Sequence, residues 1–469
     1  MEFTMTIDGV GQAGTGENFE VFNPATGEIF AVAPEGNSQI ADQAVAAAAG
    51  AFPAWSSRED RERAALLLEC SRVLKGQTMK LAKLLTQEQG KPLRDSMNEI
   101  MGAAVAMRHA AEMDTPPAIE NLADGIEILR RPRGVVAAIT PWNFPVILAI
   151  WKIAPALRAG NTIVLKPSPF TPLTSLEIGR LFREILPPGV LNVISGKSDE
   201  LGEALTKNPD VRMITLTGSV ETGKAVARAA ADDLKHVVLE LGGNDAAIVL
   251  PDADPTKIAK DLFQGAFRNC GQLCLAIKRL YVHDSIFASV VDELKSIAES
   301  LVVGDGLERG IELGPLNNLP QLERVEFLVN DARENGARIV TGGSRRPGPG
   351  FFFEPTIVDE IQEGIALVDE EQFGPVLPVI RYDDVEDAVA RANASSFGLG
   401  GSVWSSDPAR AADVASKLDC GAIWVNGHGE TDPGAPIGGK KLSGIGYANG
   451  QAGLGEFLEL RTLYRGRSA

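Results

Sequence analysis

Val211-Arg212-Met213-Ile214-Thr215-Leu216-Thr217-Gly218-Ser219-Val220-Glu221-Thr222-Gly223-Lys224 is the stretch on which the architecture turns. The apolar run Val211–Leu216 reads as a short buried strand, and Ser219–Ala231 reads as a helix opening directly after a glycine turn. Gly218–Lys224 nearly spells a phosphate-binding P-loop. That motif needs Ser or Thr after the lysine to ligate magnesium, and Ala225 stands there instead. A nucleoside triphosphatase is therefore disfavoured. A strand before Gly218 and a helix after it still let backbone N–H groups face a phosphate. The segment fits a magnesium-free pyrophosphate site, or an ordinary strand–helix turn.

The same rhythm extends outward on both sides. Further apolar runs occur at Val135–Ile139, Thr162–Leu165, Val190–Ile194 and His236–Leu239. Helical segments fall between them, at Val146–Arg158, Pro172–Ile185 and Asp199–Lys207. Short buried strands alternating with helices predict a parallel sheet covered on both faces. Ligands of such sheets bind outside the carboxyl ends of the strands, and Asn143, Lys166, Ser219 and Glu240 all follow strand ends. A second α/β unit is expected from Asp245 to about Asn426. It starts with Ala246–Leu250, a helix near Ala259–Phe267, Leu280–Val282 and a helix near Ile286–Leu301.

Ahead of these units, Ser38 to about Ala111 has helical spacing, with Ser38 as the expected cap. Cys70, Met101, Met107 and Met113 read as packing residues there. Gly9-Val10-Gly11-Gln12-Ala13-Gly14 formally matches the dinucleotide fingerprint, but no helix follows it. A hairpin is expected. Gly125–Arg133 and Glu456–Tyr464 both read as extended.

At 469 residues the chain has room for two or three domains. Its charge balance, 45 − 62 = −17, argues against nucleic acid and anionic membrane surfaces as partners. No apolar run approaches the ~20 residues that a membrane helix needs, and Met1-Glu2-Phe3-Thr4 lacks the layout of a signal peptide. Four cysteines are too few for a disulfide framework. A reducing cytoplasm is expected. No metal is expected either, because no cysteine or histidine pairs have ligand spacing among Cys70, Cys270, Cys274, Cys420, His109, His236, His283 and His428.

The chemistry gathers between Leu239 and Arg279. Leu239-Glu240-Leu241-Gly242-Gly243-Asn244 puts an acid at a strand end, and Phe267-Arg268-Asn269-Cys270-Gly271-Gln272-Leu273-Cys274 puts a thiol after a Gly-Gln turn. They lie 274 − 240 = 34 positions apart, room for a strand and a helix between them. A partly exposed thiolate is a nucleophile, and a carboxylate beside it is a general base for water. Asn143, flanked in Pro141-Trp142-Asn143-Phe144-Pro145 by two stiffening prolines, either directs an amide N–H at a developing oxyanion or caps the helix near Val146.

These motifs, taken together and in order, resemble the aldehyde dehydrogenase superfamily nearly end to end. Others that carry the likeness are Phe22-Asn23-Pro24-Ala25-Thr26-Gly27-Glu28, Lys166-Pro167-Ser168, Thr217-Gly218-Ser219, Glu370-Glu371-Gln372-Phe373-Gly374-Pro375 and Gly438-Gly439-Lys440-Lys441-Leu442-Ser443-Gly444. The resemblance implies an α/β fold with a Rossmann-like cofactor domain (1–112 and 134–241) and a second α/β catalytic domain (242–442). A small β oligomerisation arm (113–133 and 443–469) would join a homodimer or homotetramer. It implies Cys274 as nucleophile with Cys270 as a structural neighbour, Asn143 in the oxyanion hole and Glu240 as base. The NAD or NADP site would draw on Thr140, Pro141, Trp142, Lys166, Ser168, Gly218, Ser219, Gly223, Leu241, Glu371 and Phe373. The substrate pocket would draw on Phe144, Leu148, Trp151, Leu273, Leu275 and Ile437.

Relatives that pass the acyl group to coenzyme A commonly lack the glutamate found at Glu240, so water is the expected acceptor. The pocket residues favour an aromatic or medium-chain aliphatic aldehyde. A semialdehyde dehydrogenase for an acidic aldehyde and a catalytically idle homologue are the alternatives. The chain departs from many relatives in two places. Tyr447-Ala448 replaces Arg-Glu near the expected interface. Pro169 replaces a glutamate that binds the adenosine ribose in NAD-preferring members, so NAD is favoured but NADP use is expected beside it.

Overall fold

A computed structural model describes residues 2–15 and 18–465. It is built on two sheets, and the first has eight strands. Its order runs Val10–Gln12, Met5–Ile7, Leu191–Val193, Thr162–Lys166, Val135–Ile139, Val211–Thr217, His236–Glu240, Gly444–Ile445. The five strands from Leu191–Val193 to His236–Glu240 are parallel neighbours. They are mostly buried on both faces, which is why they read as largely apolar runs.

The N-terminal helical region divides into α1 (Ser38–Ser56), α2 (Asp60–Gly76), α3 (Thr78–Gln89) and α4 (Leu93–Glu112). Within the sheet come α5 (Pro145–Ala159), α6 (Leu173–Phe182), α7 (Asp199–Lys207) and α8 (Val220–Ala231). The cap of α1 is Asn37, not Ser38, its side chain accepting from the Ile40 N–H at 3.2 Å. Asn and Ser cap about equally well, so spacing alone could not choose between neighbours. Met107 and Cys70 are core and Met113 flanks it, but Met101 lies at the surface. The Gly9–Gly14 segment is the expected hairpin, turned by Asp8 and Gly9 at φ 52° and 72°.

The second sheet has seven strands, in the order Arg338–Thr341, Thr356–Asp359, Val376–Tyr382, Ile277–His283, Asp245–Val249, Gly400–Trp404, Ala422–Val425. Helix α9 (Pro255–Phe267) crosses between its two central strands. Strand alternation feeds two cores: Ala246, Ile248 and Tyr281 enter one, while Ala247, Val249, Leu280 and Val282 enter the other. A third sheet pairs Leu458–Tyr464 with Ile126–Pro132, and that strand with Ile119–Ala123. Residues 466–469 of the expected arm lie outside the described residues. Ile119, Leu122, Leu460 and Tyr464 of this small sheet have exposed side chains.

Asn161 ties the arm to the first sheet. Fully buried, it accepts from the Gly134 N–H at 3.0 Å and donates to the Phe457 carbonyl at 2.9 Å. Asn161→Ala should leave both backbone groups unpaired and lower unfolding stability by about 1–3 kcal/mol. Urea unfolding followed by tryptophan fluorescence measures this, and an unchanged midpoint would contradict the assigned tie.

Candidate active site

Helix α9 ends in a left-handed turn. Asn269, Cys270 and Gly271 take φ of 51°, 59° and 68°, and a Cβ on Gly271 would collide with the Gly374 carbonyl. Cys270 and Cys274 therefore do not share a helical turn, and Cys270 is sealed in the core while Cys274 is partly exposed. Gln272, fully buried, staples the loop: it donates to the Asn269 carbonyl at 2.9 Å and accepts from the Asn317 N–H at 2.8 Å. Lys278 Nζ holds the far end through the carbonyls of Leu273 (2.8 Å) and Cys274 (2.6 Å). Burial pushes the Cys274 thiol up to about 12. The Lys278 cation opposes this, while Glu371, Glu240 and Asp245 reinforce it.

Three cavities meet at Cys274. A cleft of about 460 Å³ lies along the carboxyl ends of the first sheet, lined by Thr140, Pro141, Trp142, Asn143, Lys166, Ser168, Pro169, Gly218, Ser219, Leu241, Glu371 and Phe373. A tunnel of about 320 Å³ approaches from the other side between Phe144, Ile147, Leu148, Trp151, Leu273 and Leu275. A space of about 30 Å³ joins Cys274 to Glu240, Lys152, Ile437 and Asn449. Two sequence expectations shift in place. Ile437 lines this small space and not the tunnel. Gly223 lies outside the cleft, where a Cβ would come within 2.6 Å of the Leu241 side chain, so it lets α8 approach a residue that does line it.

Asn143 does not cap α5. Glu99 does, accepting from the N–H groups of Val146 (2.8 Å) and Ile147 (3.2 Å). The Asn143 amide instead donates to the Gln272 carbonyl at 3.0 Å, two residues before Cys274. Glu240 ends its strand with Oε1 buried and unpartnered. Burial raises its carboxyl above the ordinary range, with Lys152 opposing. Burial likewise lowers the Lys152 ammonium, which donates to Thr215 Oγ1 at 3.1 Å.

The cleft suits a dinucleotide. Ser219 caps α8 by accepting from the Thr222 N–H at 3.2 Å, leaving a helix N-terminus at the cleft wall. Gly242 has no room for a Cβ against Glu371, so its bare backbone borders the cleft. Glu371 accepts from the Gly243 N–H at 3.0 Å and stands 3.4 Å from Lys278 Nζ. Trp142 and Phe373 meet edge to face at 5.4 Å. The Thr140 hydroxyl is buried without a partner. Among the described residues, no group of His, Cys, Asp and Glu is arranged to hold a metal.

Four residues escaped the sequence reading. Lys91, Lys152 and Lys278 are buried around the site, though a lysine ordinarily reads as a solvated charge. Lys152 and Lys278 at least stand among apolar neighbours in the sequence, whereas Lys91, between Gly90 and Pro92, carries no such hint. Arg268, quoted in the nucleophile motif but given no role, is exposed and lines the tunnel 5.6 Å from the Phe144 ring.

A model of the aldehyde dehydrogenase family matches residues 11–463. The phenylacetaldehyde dehydrogenase of Pseudomonas fluorescens is 39% identical over 466 residues, covering 95% of this chain and 92% of its own. An NADP-dependent succinate-semialdehyde dehydrogenase of Escherichia coli is 38% identical over 457 residues, covering 96% and 94%. The NAD+ complex of a Bacillus cereus aldehyde dehydrogenase superposes with a TM-score of 0.96 at 35% identity, covering 100% of this chain and 97% of that one.

Proposed function

This chain belongs to the aldehyde dehydrogenase family, and we propose that it oxidises an aromatic or medium-chain aliphatic aldehyde to the carboxylic acid through a thioester on Cys274. It is an NAD(P)-dependent oxidoreductase acting on a small-molecule aldehyde. One observation carries the reading: Cys274 borders the dinucleotide-shaped cleft, the apolar tunnel and the Glu240 space at once. An idle homologue has no use for that convergence.

The cofactor would be held by the α8 N-terminus with Gly218 and Ser219 at its pyrophosphate, by Lys166 and Ser168 at its adenosine ribose, and by Glu371 and Phe373 toward the nicotinamide. When bound, the nicotinamide supplies the acceptor for a hydride. The chain's own residues do the rest. Cys274 gives its proton to solvent water and its sulfur attacks the carbonyl carbon, sending the C=O electron pair to oxygen. The Asn143 amide and the Cys274 N–H stabilise that oxyanion. When the C–H bond breaks with its electron pair, the C=O bond re-forms as a thioester. Glu240 then takes a proton from water, the hydroxide adds to the acyl carbon, and the C–S bond breaks to release the acid and the thiolate.

The tunnel walls are mostly apolar and aromatic, and a 39%-identical relative is named for an aromatic aldehyde. Arg268 supports a second reading. A guanidinium on the tunnel could hold a carboxylate at the far end of an acidic aldehyde, and the Escherichia coli relative is named for such a compound. The domain limits given above, a cytoplasmic location and assembly into a dimer or tetramer through the small sheet belong to the same proposal. The sheet's exposed apolar residues support assembly. No helix among the described residues is long and apolar enough to cross a membrane.

Glu240→Gln should form the thioester and hydrolyse it slowly, so mass spectrometry after mixing with aldehyde and cofactor should find an acylated enzyme. Because burial raises the Glu240 carboxyl, wild-type deacylation should be lost as pH falls toward neutral and gain as it rises. The variant should lack that dependence. Wild-type turnover in Glu240→Gln would remove it from the mechanism.

Pro169 offers neither an acceptor for the ribose hydroxyls nor a charge to repel a 2′-phosphate. NADP should be used beside NAD with discrimination under ~100-fold, about 2.7 kcal/mol. Pro169→Glu should raise the KM for NADP. An unchanged ratio of specificity constants would refute this.

Arg268→Gln separates the two substrate readings. With an apolar substrate, kcat/KM for phenylacetaldehyde should change less than about threefold. A loss of about 30-fold on succinate semialdehyde, about 2 kcal/mol, would favour the acidic substrate instead.

A further inference from the structure

Lys91 follows α3 on a turn that Gly90 makes with φ 103°. Its ammonium is buried, which is costly unless the charge is paired. Nζ donates to Glu99 Oε2 at 2.6 Å and to the Asn143 carbonyl at 2.7 Å, and it lies 3.8 Å from the centroid of the Phe144 ring. Glu99, on α4, spends its other oxygen on the first two N–H groups of α5 named above. Both side chains of the pair are only 1% exposed. One ion pair thus grips the carbonyl of Asn143 and the first turn of the helix that follows it.

Stability alone is a poor explanation. Apolar replacements of buried ion pairs are often neutral or better, and capping a helix needs an acceptor, not a charge. Placement explains more. The Asn143 carbonyl accepts a second bond, from Asn269 Nδ2 at 3.0 Å, and the Asn143 amide reaches back to Gln272 in the nucleophile loop. Asn143 is therefore held from the helical layer on one side and from the Cys274 loop on the other.

We propose that Lys91 and Glu99 are a positioning pair for aldehyde oxidation, fixing Asn143 so that its amide meets the oxygen of the carbonyl that Cys274 attacks. This rests on the reading of Cys274 and Asn143 given above. Without Lys91, the Asn143 carbonyl loses one of its two donors. Glu99, which also lines the tunnel, becomes an unpaired buried anion near the place where the substrate oxygen gains negative charge. Both effects oppose the tetrahedral adduct. Lys91 and Glu99 themselves do not line the cofactor cleft.

The test is the single-turnover rate of NAD(P)H formation, with enzyme in excess over aldehyde, beside NAD(P)H affinity by fluorescence titration. Lys91→Met should slow the turnover about 100-fold, the scale of a misplaced catalytic group, with affinity within threefold of wild type. The Lys91→Met/Glu99→Gln double variant should recover at least tenfold, because the stranded anion is gone. A merely structural role predicts no such rescue. Lys91→Met within threefold of wild type, a double variant no faster than the single, or weakened NAD(P)H binding would each overturn the proposal. If Lys91→Met does not fold, Glu99→Gln decides. A more than threefold loss at unchanged affinity upholds the proposal, and any other result overturns it. A wild-type enzyme forming no NAD(P)H from any aldehyde would sink the underlying reading instead.

Discussion

The site depends on a backbone wedged where only glycine passes, under the Gly374 carbonyl at Gly271. Because Asn269 and Cys270 are already left-handed there, the chain leaves α9 in a tight reversal and not as another helical turn. That reversal exposes Cys274 while sealing Cys270 in the core. Gln272 and Lys278 then pin the loop at both ends with four hydrogen bonds to or from backbone groups. Little freedom remains in where the sulfur sits. Small residues at Gly242 and Gly243 are needed for the same reason, since a Cβ on Gly243 would meet the Cys274 carbonyl at 2.7 Å.

Burial presses on Cys274 and Glu240 in the same direction. It raises the Cys274 thiol and the Glu240 carboxyl together, so both favour their protonated forms. A thiol with a raised pKa is seldom ionised, but its thiolate is the stronger nucleophile once formed. A carboxyl with a raised pKa is a stronger base toward water once it has lost its proton. The proposed chemistry needs each form only briefly. The small space linking them also borders Lys152, the cation that opposes the shift of Glu240.

Much of this was legible in the sequence, for a definite reason. Parallel strands buried on both faces leave apolar runs, so Val135–Ile139 was placed to the residue and Asp199–Lys207 was located as α7. Cys274, Glu240 and Asn143 stand out in the sequence because strand ends and proline-fixed turns leave local marks, and the fold brings Cys274 into a shared cavity with each of the other two. What stayed hidden depends on contacts across the chain. Lys91 and Asn143 lie 52 positions apart and meet only when α3, α4 and α5 converge. Arg268 sits inside the quoted motif, yet its place on the tunnel follows from the path of the turn after it. Met101 shows the reverse failure, since its helical spacing matched the core stripe while its side chain faced water.

The three lysines that sequence could not place share one arrangement. Lys91 faces Glu99, Lys152 faces Glu240 and Lys278 faces Glu371. Each also donates to a neutral oxygen: the Asn143 carbonyl, the Thr215 hydroxyl, or the carbonyls of Leu273 and Cys274. Lys91 and Lys278 form ion pairs with their glutamates, whereas Glu240 favours its protonated form, and at the sulfur Lys278 is opposed by Glu371, Glu240 and Asp245. In the proposed reaction, negative charge passes from thiolate to oxyanion and is gone from the substrate once the thioester forms. A strongly positive pocket would hold the thiolate too firmly and blunt its attack, whereas a negative one would resist the oxyanion. A pocket that is not strongly positive leaves the selection to oriented donors, which act where the charge develops and nowhere else. The buried pairs Lys91–Glu99 and Lys278–Glu371 are better understood as fixing the backbone carbonyls of Asn143, Leu273 and Cys274, which keeps the Asn143 amide and the Cys274 N–H of the proposed mechanism in place.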